Sequence, residues 1–238
     1  RDLVRSRGLG DVYKRQDVPS KDTTATDREV GIDLGVKTLA TLSDGTKIEN
    51  PRGLERYERK LAREQRRLSR RKGARKSEKQ SRRYLKQRKR VARIHAKIAD
   101  ARTDALHKVT TMLVDENQVL CMEDLNAKGM MKNHHLAKAV TDASFGEFAR
   151  LLEYKCAERG RSLVKIGRFY PSSKTCSACG HRLDALPLSV RSWDCPACGA
   201  HHDRDVNAAR NILTEGKRIL SNTEGTAGHA GTVAATTA

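Results

Sequence analysis

Two matched pairs of cysteines have the spacing of a metal site. Cys176 and Cys179 form one C-x-x-C pair, and Cys195 and Cys198 form a second, with 15 residues between the pairs. Four thiolates suit a tetrahedral zinc ion, because each tight turn supplies two sulphur ligands. A closed four-sulphur shell predicts a structural zinc ion that folds the segment and does no chemistry. The alternative for these cysteines is a redox dithiol.

The other cysteines and the nearby histidines are not predicted to be ligands. Cys121 falls in a predicted strand and Cys156 in a predicted helix, so both are expected to lie in the core. Because the four-sulphur shell is already full, His181, His201 and His202 are expected at the surface or around the metal site.

Three acids stand at positions where a carboxylate needs a partner. Asp33 lies in the middle of a predicted strand, which is unfavourable for an unpaired carboxylate. Gly31 and Gly35 flank it on the same face and are expected to leave room for a metal ion and a phosphate. Glu123 ends a second predicted strand, and Asp205 lies near a predicted helix start.

Each acid has an ordinary alternative role when it is considered alone. Asp33 could be an acid at a sheet edge, Glu123 an acid in a turn, and Asp205, like Asp203, a helix N-cap. Two strands and a helix start can, however, bring the three carboxylates to one end of a sheet, where they repel unless cations bind. Oxygen ligands suit Mg²⁺, and two such ions can stabilise the attacking and leaving oxygens of a phosphodiester. Together the acids therefore predict a nuclease.

Positive charge is concentrated in one segment. The chain has 48 Lys and Arg against 29 Asp and Glu, a formal net charge of +19. Residues 52–102 contain 22 basic and 5 acidic residues, which is +17 of that excess. This segment predicts salt-sensitive binding to nucleic-acid phosphates without base reading, the alternative being a solvated hairpin. The candidate binding residues are Arg66, Arg67, Arg70, Arg71, Lys72, Arg75, Lys76, Arg82, Arg83, Lys86, Arg88, Lys89 and Arg90.

Three aromatic residues are further candidates for contact with bases. Phe169, Tyr170 and Trp193 could stack on bases of a nucleic acid. Packing in the core or against the cysteine segment is the alternative for all three.

The apolar residues predict a mixed α/β domain. The 238-residue chain is 37% hydrophobic and 4% aromatic, so a modest aliphatic core is expected. Residues 28–48 alternate in the manner of strands and predict a meander, with Asp44 and Gly45 in a hairpin turn. Further strands are predicted at 118–123 and 162–166, helices at 144–158 and 205–213, and a loop at 128–138.

The basic segment is predicted to form two antiparallel helices. Asn50 and Pro51 are typical of a helix start. Two apolar stripes follow at helical spacing, with Gly73 between them. The first stripe is Leu54, Tyr57, Leu61 and Leu68, and the second is Val91, Ile94, Ile98, Ala101, Ala105, Val109 and Met112.

The motifs that carry this chemistry also resemble a known family. They read GIDLGVKTLA, CMEDLNAKGMMKN, GRFYPSSKTCSACGH and SWDCPACGAHHDRDVNAARNI. Over residues 29–215 the chain resembles the RuvC-like nuclease half of the OrfB/TnpB proteins of insertion sequences, relatives of small type V CRISPR effectors. The resemblance implies a ribonuclease-H-like (RuvC-like) mixed sheet, with a basic helical hairpin and a four-Cys zinc ribbon inserted in it.

The resemblance also implies roles for the acids. Asp33 in GIDLG matches the first catalytic acid, and Glu123 in MEDLN matches the second. Asp205 matches the third, because the family pattern runs acid, any residue, Asn and two small residues, which makes Asp203 a neighbour. Members of the family are called transposases, and their better-supported activity is RNA-guided cleavage of DNA. The implied cofactors are catalytic Mg²⁺ and structural Zn²⁺, and the implied partners are DNA and guide RNA.

The predicted organisation follows from these motifs. The stretch RSRGLGDVYKRQ resembles translated sequencing-adapter sequence, the alternative being a genuine disordered terminus. If it is foreign, the family's N-terminal region, which holds guide RNA and reads a flanking DNA motif, is truncated here. The predicted parts are 1–16 adapter-derived or disordered, 17–50 core part I, 51–117 basic hairpin, 118–170 core part II, 171–200 zinc ribbon, 201–216 core part III and 217–238 disordered tail.

Three functions compete at this point. The first is an RNA-guided, Mg²⁺-dependent DNA endonuclease, and the second is a zinc-ribbon nucleic-acid-binding accessory that makes no cut. The third, a cut-and-paste transposase, fits less well because those enzymes usually end their acid triad with Glu. No stretch reaches the roughly 20 apolar residues of a membrane span, so no membrane partner is expected, and the sparse cysteines favour an intracellular protein. The resemblance to insertion-sequence proteins implies a prokaryotic cytoplasm.

Overall fold

The computed structural model describes residues 26–72, 81–224 and 233–234. The predictions for residues 1–16, Arg75 and Lys76 lie outside these ranges. Within them a mixed α/β fold is built on a six-stranded sheet with the order β3-β2-β1-β4-β5-β8. The strands of this sheet are β1 (Glu29–Leu34), β2 (Thr38–Leu42), β3 (Lys47–Glu49), β4 (Val119–Glu123), β5 (Ser162–Ile166) and β8 (Val233–Ala234).

Helices connect these strands, and a two-stranded ribbon stands apart from the sheet. The ribbon pairs β6 (Ser192–Asp194) with β7 (His201–Asp203). The helices are α1 (Gly53–Arg70), α2 (Arg82–Glu116), α3 (Ala127–Met130), α4 (His134–Ala143), α5 (Phe145–Glu158) and α6 (Arg204–Glu224). None of the described helices has both the length and the apolar character needed to cross a bilayer.

The central strands place two of the predicted acids at one edge of the sheet. The strands β1, β2 and β3 form the predicted antiparallel meander. Strand β4 runs parallel to β1, and its pairing reaches Ile32 and Met122. Asp33 and Glu123 each follow this last registered pair, so both lie at the carboxyl ends of neighbouring parallel strands. In open sheets of this kind, that edge is where ligands bind.

Helices cover the two faces of the sheet, in keeping with the alternation of side chains along its strands. On one face, Leu120 and Met122 pack in the main core with residues of α2 and α5. On the other, Val119 and Cys121 pack with Ile212 of α6. Cys121 and Cys156 are both buried, as predicted for core residues.

The face that carries Asp33 is also the face covered by α6. A Cβ atom on Gly31 would collide with the carbonyl oxygen of Ala209, so glycine here permits close approach of the helix. The expectation that Gly31 leaves room for a metal and a phosphate is therefore wrong, because helix backbone fills that space. Gly35 does line the cavity described below.

The basic segment forms the predicted pair of helices, α1 and α2, which we call the basic hairpin. Their seam is thin and consists of Leu61, Val91, Ile94 and Ile98, with Tyr57 and Leu68 at its border. In the second half of the predicted α2 stripe, Ala101 and Met112 are wrong because they are exposed, whereas Val109 packs against the main core. There α2 leaves α1 and packs on the main core through a rotated face, which contains Leu106, Leu113 and Val114.

Three boundaries differ from those predicted. Asn50 does not begin α1: its side chain bonds the Val36 carbonyl and the Arg52 amide, and the helix starts at Gly53. The predicted loop at 128–138 contains α3 and the start of α4. The predicted tail from residue 217 is helical as far as Glu224, because Ile219 and Leu220 pack beside Ile212.

Candidate active site and cysteine cluster

The three predicted acids line one cavity. Asp33 at the end of β1, Glu123 at the end of β4 and Asp205 at the start of α6 border a space of about 480 Å³. Two parallel strands and a helix start therefore converge at the carboxyl edge of the sheet. Cationic residues line the same cavity, namely Lys37, Arg191 and Arg204.

Asp33 has the most perturbed carboxyl group of the three. Its pKa is raised from 3.8 to about 8, mainly by burial and then by the neighbouring charges of Glu123 and Asp205, while the charge of Arg204 opposes the rise. A carboxyl group that is buried beside two like charges retains its proton unless a cation offsets the repulsion. Perturbation of this kind in a cleft is typical of functional sites.

The Glu123 carboxylate accepts a hydrogen bond from the side chain of Ser172. Burial raises its pKa, and the Ser172 hydroxyl, which donates to its Oε1, partly offsets the rise. The adjacent acid Asp124 points elsewhere and pairs with Arg168 at 2.7 Å. Of these two sequential acids, only Glu123 lines the cavity.

Asp203 and Asp205 have different roles at the start of α6. Oδ1 of Asp203 accepts hydrogen bonds from the amides of Asp205 and Val206 at 3.0 and 3.1 Å, which makes Asp203 the helix N-cap. Lys47 donates to its other oxygen at 2.7 Å. Burial alone would raise the pKa of Asp203, but these bonds lower it. Asp205, which leaves the capping to Asp203, lines the cavity and lies 3.7 Å from the Arg191 guanidinium.

The donor set at the acid cavity suits a hard divalent cation. Carboxylate oxygens are the ligands that Mg²⁺ takes, and a cation would relieve the repulsion that raises the pKa of Asp33. The three acids do not form a tight cluster: in the described part of the chain, only the four cysteines have ligand atoms that all lie within 4.8 Å of one another. The three carboxylates thus line the wall of the cavity, and their oxygen atoms do not all lie within 4.8 Å of one another.

The four cysteines form a site that could hold a metal ion. The Sγ atoms of Cys176 and Cys198 are 3.7 Å apart, and those of Cys179 and Cys195 are 3.6 Å apart. Tetrahedral zinc with bonds of about 2.3 Å requires sulphur separations of about 3.8 Å, so the cluster fits that ion. Each C-x-x-C pair is followed by a glycine in the left-handed region, with φ of 78° at Gly180 and 71° at Gly199.

The histidines and aromatic residues near the cysteines have separate places. His202 is buried, with its Nε2 atom 3.0 Å from Cys176 Sγ, and its ring lies 4.7 Å from that of Trp193. Trp193 is itself buried in this cluster, so it packs there and is not free to stack on bases. His201 is exposed and lies 2.7 Å from Asp194. Phe169 is 92% exposed.

All of the candidate phosphate-binding residues that the structure describes are exposed on the basic hairpin. Arg67 pairs with Glu64 at 2.8 Å, and Arg71 donates to Gln87 at 2.9 Å, so these two also support the seam. The side chains of the others form no ion pair or hydrogen bond with a described residue. They are Arg66, Arg70, Lys72, Arg82, Arg83, Lys86, Arg88, Lys89 and Arg90.

Sequence reasoning missed several polar residues around the acids. Ser172, Arg191 and Arg204 all line the cavity. Asn207 and Asn211, one turn apart on α6, are 1% and 5% exposed and bond the segment that carries Ser172. Two asparagines four residues apart inside an apolar helix pattern were a usable signal, because buried amides need partners.

Comparison with known proteins identifies the family. The model of the family OrfB_IS605, described as "Probable transposase", matches residues 12–134. The chain belongs to this family. A second family model, the TNB domain of Cas12f1-like proteins, matches residues 145–212, which include the cysteine cluster and the start of α6.

Two relatives of this OrfB_IS605 member carry the same descriptive name. A Streptomyces pristinaespiralis protein named "Putative RNA-guided DNA endonuclease" is 50% identical over 198 residues, which is 83% of this chain and 47% of that protein. The Escherichia coli protein InsQ, which has the same descriptive name, is 36% identical over 207 residues, which is 81% of this chain and 50% of InsQ. The chain therefore spans about half the length of these relatives.

A solved structure shares the fold. The Cas12f1 chain in a cryo-EM structure titled as a Cas12f1-sgRNA-target DNA complex superposes with a TM-score of 0.54 at 19% identity. The match covers 80% of this chain and 51% of the Cas12f1 chain.

Proposed function

We propose that this OrfB_IS605 protein is an RNA-guided DNA endonuclease with a RuvC-like, Mg²⁺-dependent acid site. The observation that carries the proposal is the convergence of Asp33, Glu123 and Asp205 on one cavity, where burial and the charges of the other two acids raise the pKa of Asp33. The relatives named as RNA-guided DNA endonucleases support the same substrate class.

The three acids would hold the catalytic metal. Bound Mg²⁺ would supply charge stabilisation for the attacking and leaving oxygens of phosphodiester hydrolysis. Asp33 must give up its proton to act as a ligand, so its raised pKa links activity to pH. Arg191 and Arg204 place positive charge on the wall of the cavity, where they can attract the phosphate that is to be cut.

The basic hairpin would hold the nucleic acid by its phosphates. Its exposed cations outnumber its acids and have few internal partners, so they remain available to a polyanion. Contacts with phosphates position a duplex without reading its sequence, and we assign that reading to pairing with a guide RNA. The four cysteines would bind a structural Zn²⁺ ion that orders the segment before α6.

Metal-dependent cleavage with a matched pair of acid variants tests the proposal. The full chain, with Mg²⁺ and a labelled single-stranded DNA, is expected to cut, and Glu123→Ala is expected to reduce cleavage about 100-fold or more. Asp124→Ala is the control: it removes the adjacent acid, which pairs with Arg168 outside the cavity, and should leave cleavage near the wild-type rate.

Two outcomes would contradict the proposal in different ways. Unchanged cleavage in Glu123→Ala and Asp33→Ala would place the chemistry elsewhere. DNA binding without cleavage at any Mg²⁺ or Mn²⁺ concentration would favour the alternative of a non-cleaving nucleic-acid-binding accessory.

A further inference from the structure

Ser172 connects the second acid to the helix that carries the third. It is 7% exposed, and its hydroxyl donates to Oε1 of Glu123. Its amide donates to the Tyr170 carbonyl at 2.8 Å. Its carbonyl accepts from the side-chain amides of Asn211 at 2.7 Å and Asn207 at 3.4 Å. Both backbone groups and the hydroxyl of Ser172 are thus committed to named partners.

The two asparagines hold a longer piece of chain than this one residue. Both donate to the carbonyl of Thr175, at 2.7 Å from Asn207 and 2.6 Å from Asn211. Oδ1 of Asn207 also accepts from the amide of Ser177 at 2.9 Å, next to the first cysteine of the cluster. Two buried amides on one helix face therefore fix the position of residues 172–177 relative to α6.

This arrangement puts two acids under the control of one helix. Asp205 lies in the first turn of α6, two residues before Asn207, and lines the cavity. Glu123 belongs to β4, but its carboxylate is bonded to a residue that α6 holds. A shift of residues 172–177 away from α6 would therefore change the orientation of the Glu123 carboxylate relative to Asp205.

We infer that Ser172 is a positioning residue that fixes the Glu123 carboxylate for binding a divalent cation, with Asn207 and Asn211 holding Ser172 in place. The inference rests on the proposed metal role of the acids. A merely structural Ser172 would satisfy a buried carboxyl group and affect stability alone. A positioning Ser172 also affects the affinity of the acid site for the ion, because partners of this kind typically change metal affinity 10–100-fold.

Direct binding of Mn²⁺ separates these roles without using activity. The full, zinc-loaded chain is titrated with Mn²⁺, and free Mn²⁺ is followed by electron paramagnetic resonance. Ser172→Ala is expected to weaken binding about 10-fold or more, and Ser172→Thr, which restores a hydroxyl, to return affinity to within about 3-fold of wild type. Ser177→Ala is the matched control, since its hydroxyl makes no hydrogen bond to a described residue, and its affinity should be unchanged.

Asp33→Ala shows which site is measured, because it should abolish the same binding. Wild-type Mn²⁺ affinity in Ser172→Ala, with binding lost in Asp33→Ala, would overturn the inference and leave the proposed function intact. Absence of Mn²⁺ binding by the wild-type chain would overturn the proposed function together with the inference. Zinc content and melting temperature, measured on each variant, show that the fold is retained.

A second variant tests the asparagine support independently. Asn211→Asp keeps the shape of the side chain but replaces the donor to the Ser172 and Thr175 carbonyls with an acceptor. We expect Mn²⁺ affinity to fall about 10-fold while zinc content stays at the wild-type level. Unchanged Mn²⁺ affinity in a folded Asn211→Asp chain would contradict the role given to the asparagines.

Discussion

The basic hairpin and the acid cavity both concentrate like charges, but they do so in opposite surroundings. The candidate cations of α1 and α2 that the structure describes are all exposed, so water and salt screen their repulsion. The three acids meet at the edge of the sheet, where burial and mutual repulsion raise the pKa of Asp33 to about 8. Solvent-exposed like charges repel each other weakly and can form a binding surface with little loss of stability. Buried like charges repel strongly, and a bound cation would reduce that repulsion.

Loss of the cysteine cluster should disrupt the acid cavity without affecting DNA binding by the hairpin. Cys195→Ser is expected to lose the metal and unfold the segment before α6, because structural zinc contributes about 10 kcal/mol of folding free energy. Zinc content by elemental analysis and cleavage rate should both fall, while DNA binding through the hairpin is retained. Cys156→Ala, a buried cysteine outside the cluster, should keep its zinc. Retention of zinc and cleavage in Cys195→Ser would contradict the assignment.

Variants of the two acids at the start of α6 should distinguish a residue needed for cleavage, Asp205, from a residue that caps the helix, Asp203. Asp205→Ala is expected to lower the cleavage rate about 100-fold or more, because it removes one of the three proposed metal ligands. Asp203→Ala removes an N-cap and should cost about 1 kcal/mol of unfolding free energy with a much smaller effect on the rate. Rates and denaturant melts of the two variants measure both effects. The reverse order of effects on rate would show that Asp203 is the third acid.

The raised pKa of Asp33 makes the cavity sensitive to pH in a way that the hairpin is not. The folded pKa is about 8 and the ordinary value 3.8, so ionisation of Asp33 favours the unfolded state and its destabilising effect grows as pH rises to about 8. The wild-type free energy of unfolding should therefore fall between pH 5.5 and 8. Without added Mg²⁺, Asp33→Asn should make this fall smaller by about 1–3 kcal/mol. Chemical denaturation at several pH values measures it. Equal slopes for the two proteins would contradict the pKa shift.

Neutralising hairpin cations should weaken binding by small, salt-dependent steps. Replacing Arg82, Lys86 and Lys89 by Gln should lower the slope of log affinity against log salt by up to about 2.7 and weaken DNA binding severalfold. A matched triple variant changes Arg150, Arg168 and Arg218, each exposed, outside the hairpin and paired with an acid. The control is expected to leave the slope near the wild-type value. Equal slopes in the two triple variants, measured by fluorescence anisotropy, would exclude the hairpin as the phosphate-binding surface.

The features that could be predicted from the sequence are those with local patterns. The meander follows from alternation along β1 and β2, the cysteine cluster from two C-x-x-C pairs, and the seam of the hairpin from Leu61, Val91 and Ile94. Each pattern is complete within a few turns or strands of the chain. The family motifs then indicated which three acids to consider together.

The features that could not be predicted depend on contacts between residues that are far apart in the sequence. The space beside Gly31 is filled by the backbone of α6, although their residues are far apart in the chain. The buried face of α2 rotates where its partner changes from α1 to the main core, which no single helical period describes. The role proposed for Ser172 depends on its hydrogen bonds to one residue of β4 and two residues of α6, which are distant from it in the chain.

The pairing of β1 with β4 makes the length of the basic hairpin independent of the acid geometry. The chain leaves the sheet after β3 and returns at β4, yet Asp33 and Glu123 are aligned by direct strand pairing and not by what lies between them. Whole helical turns could be added to or removed from the free end of the hairpin without moving either carboxylate. Evolution could thus change the length of the proposed phosphate-binding surface while the proposed acid site stays unchanged.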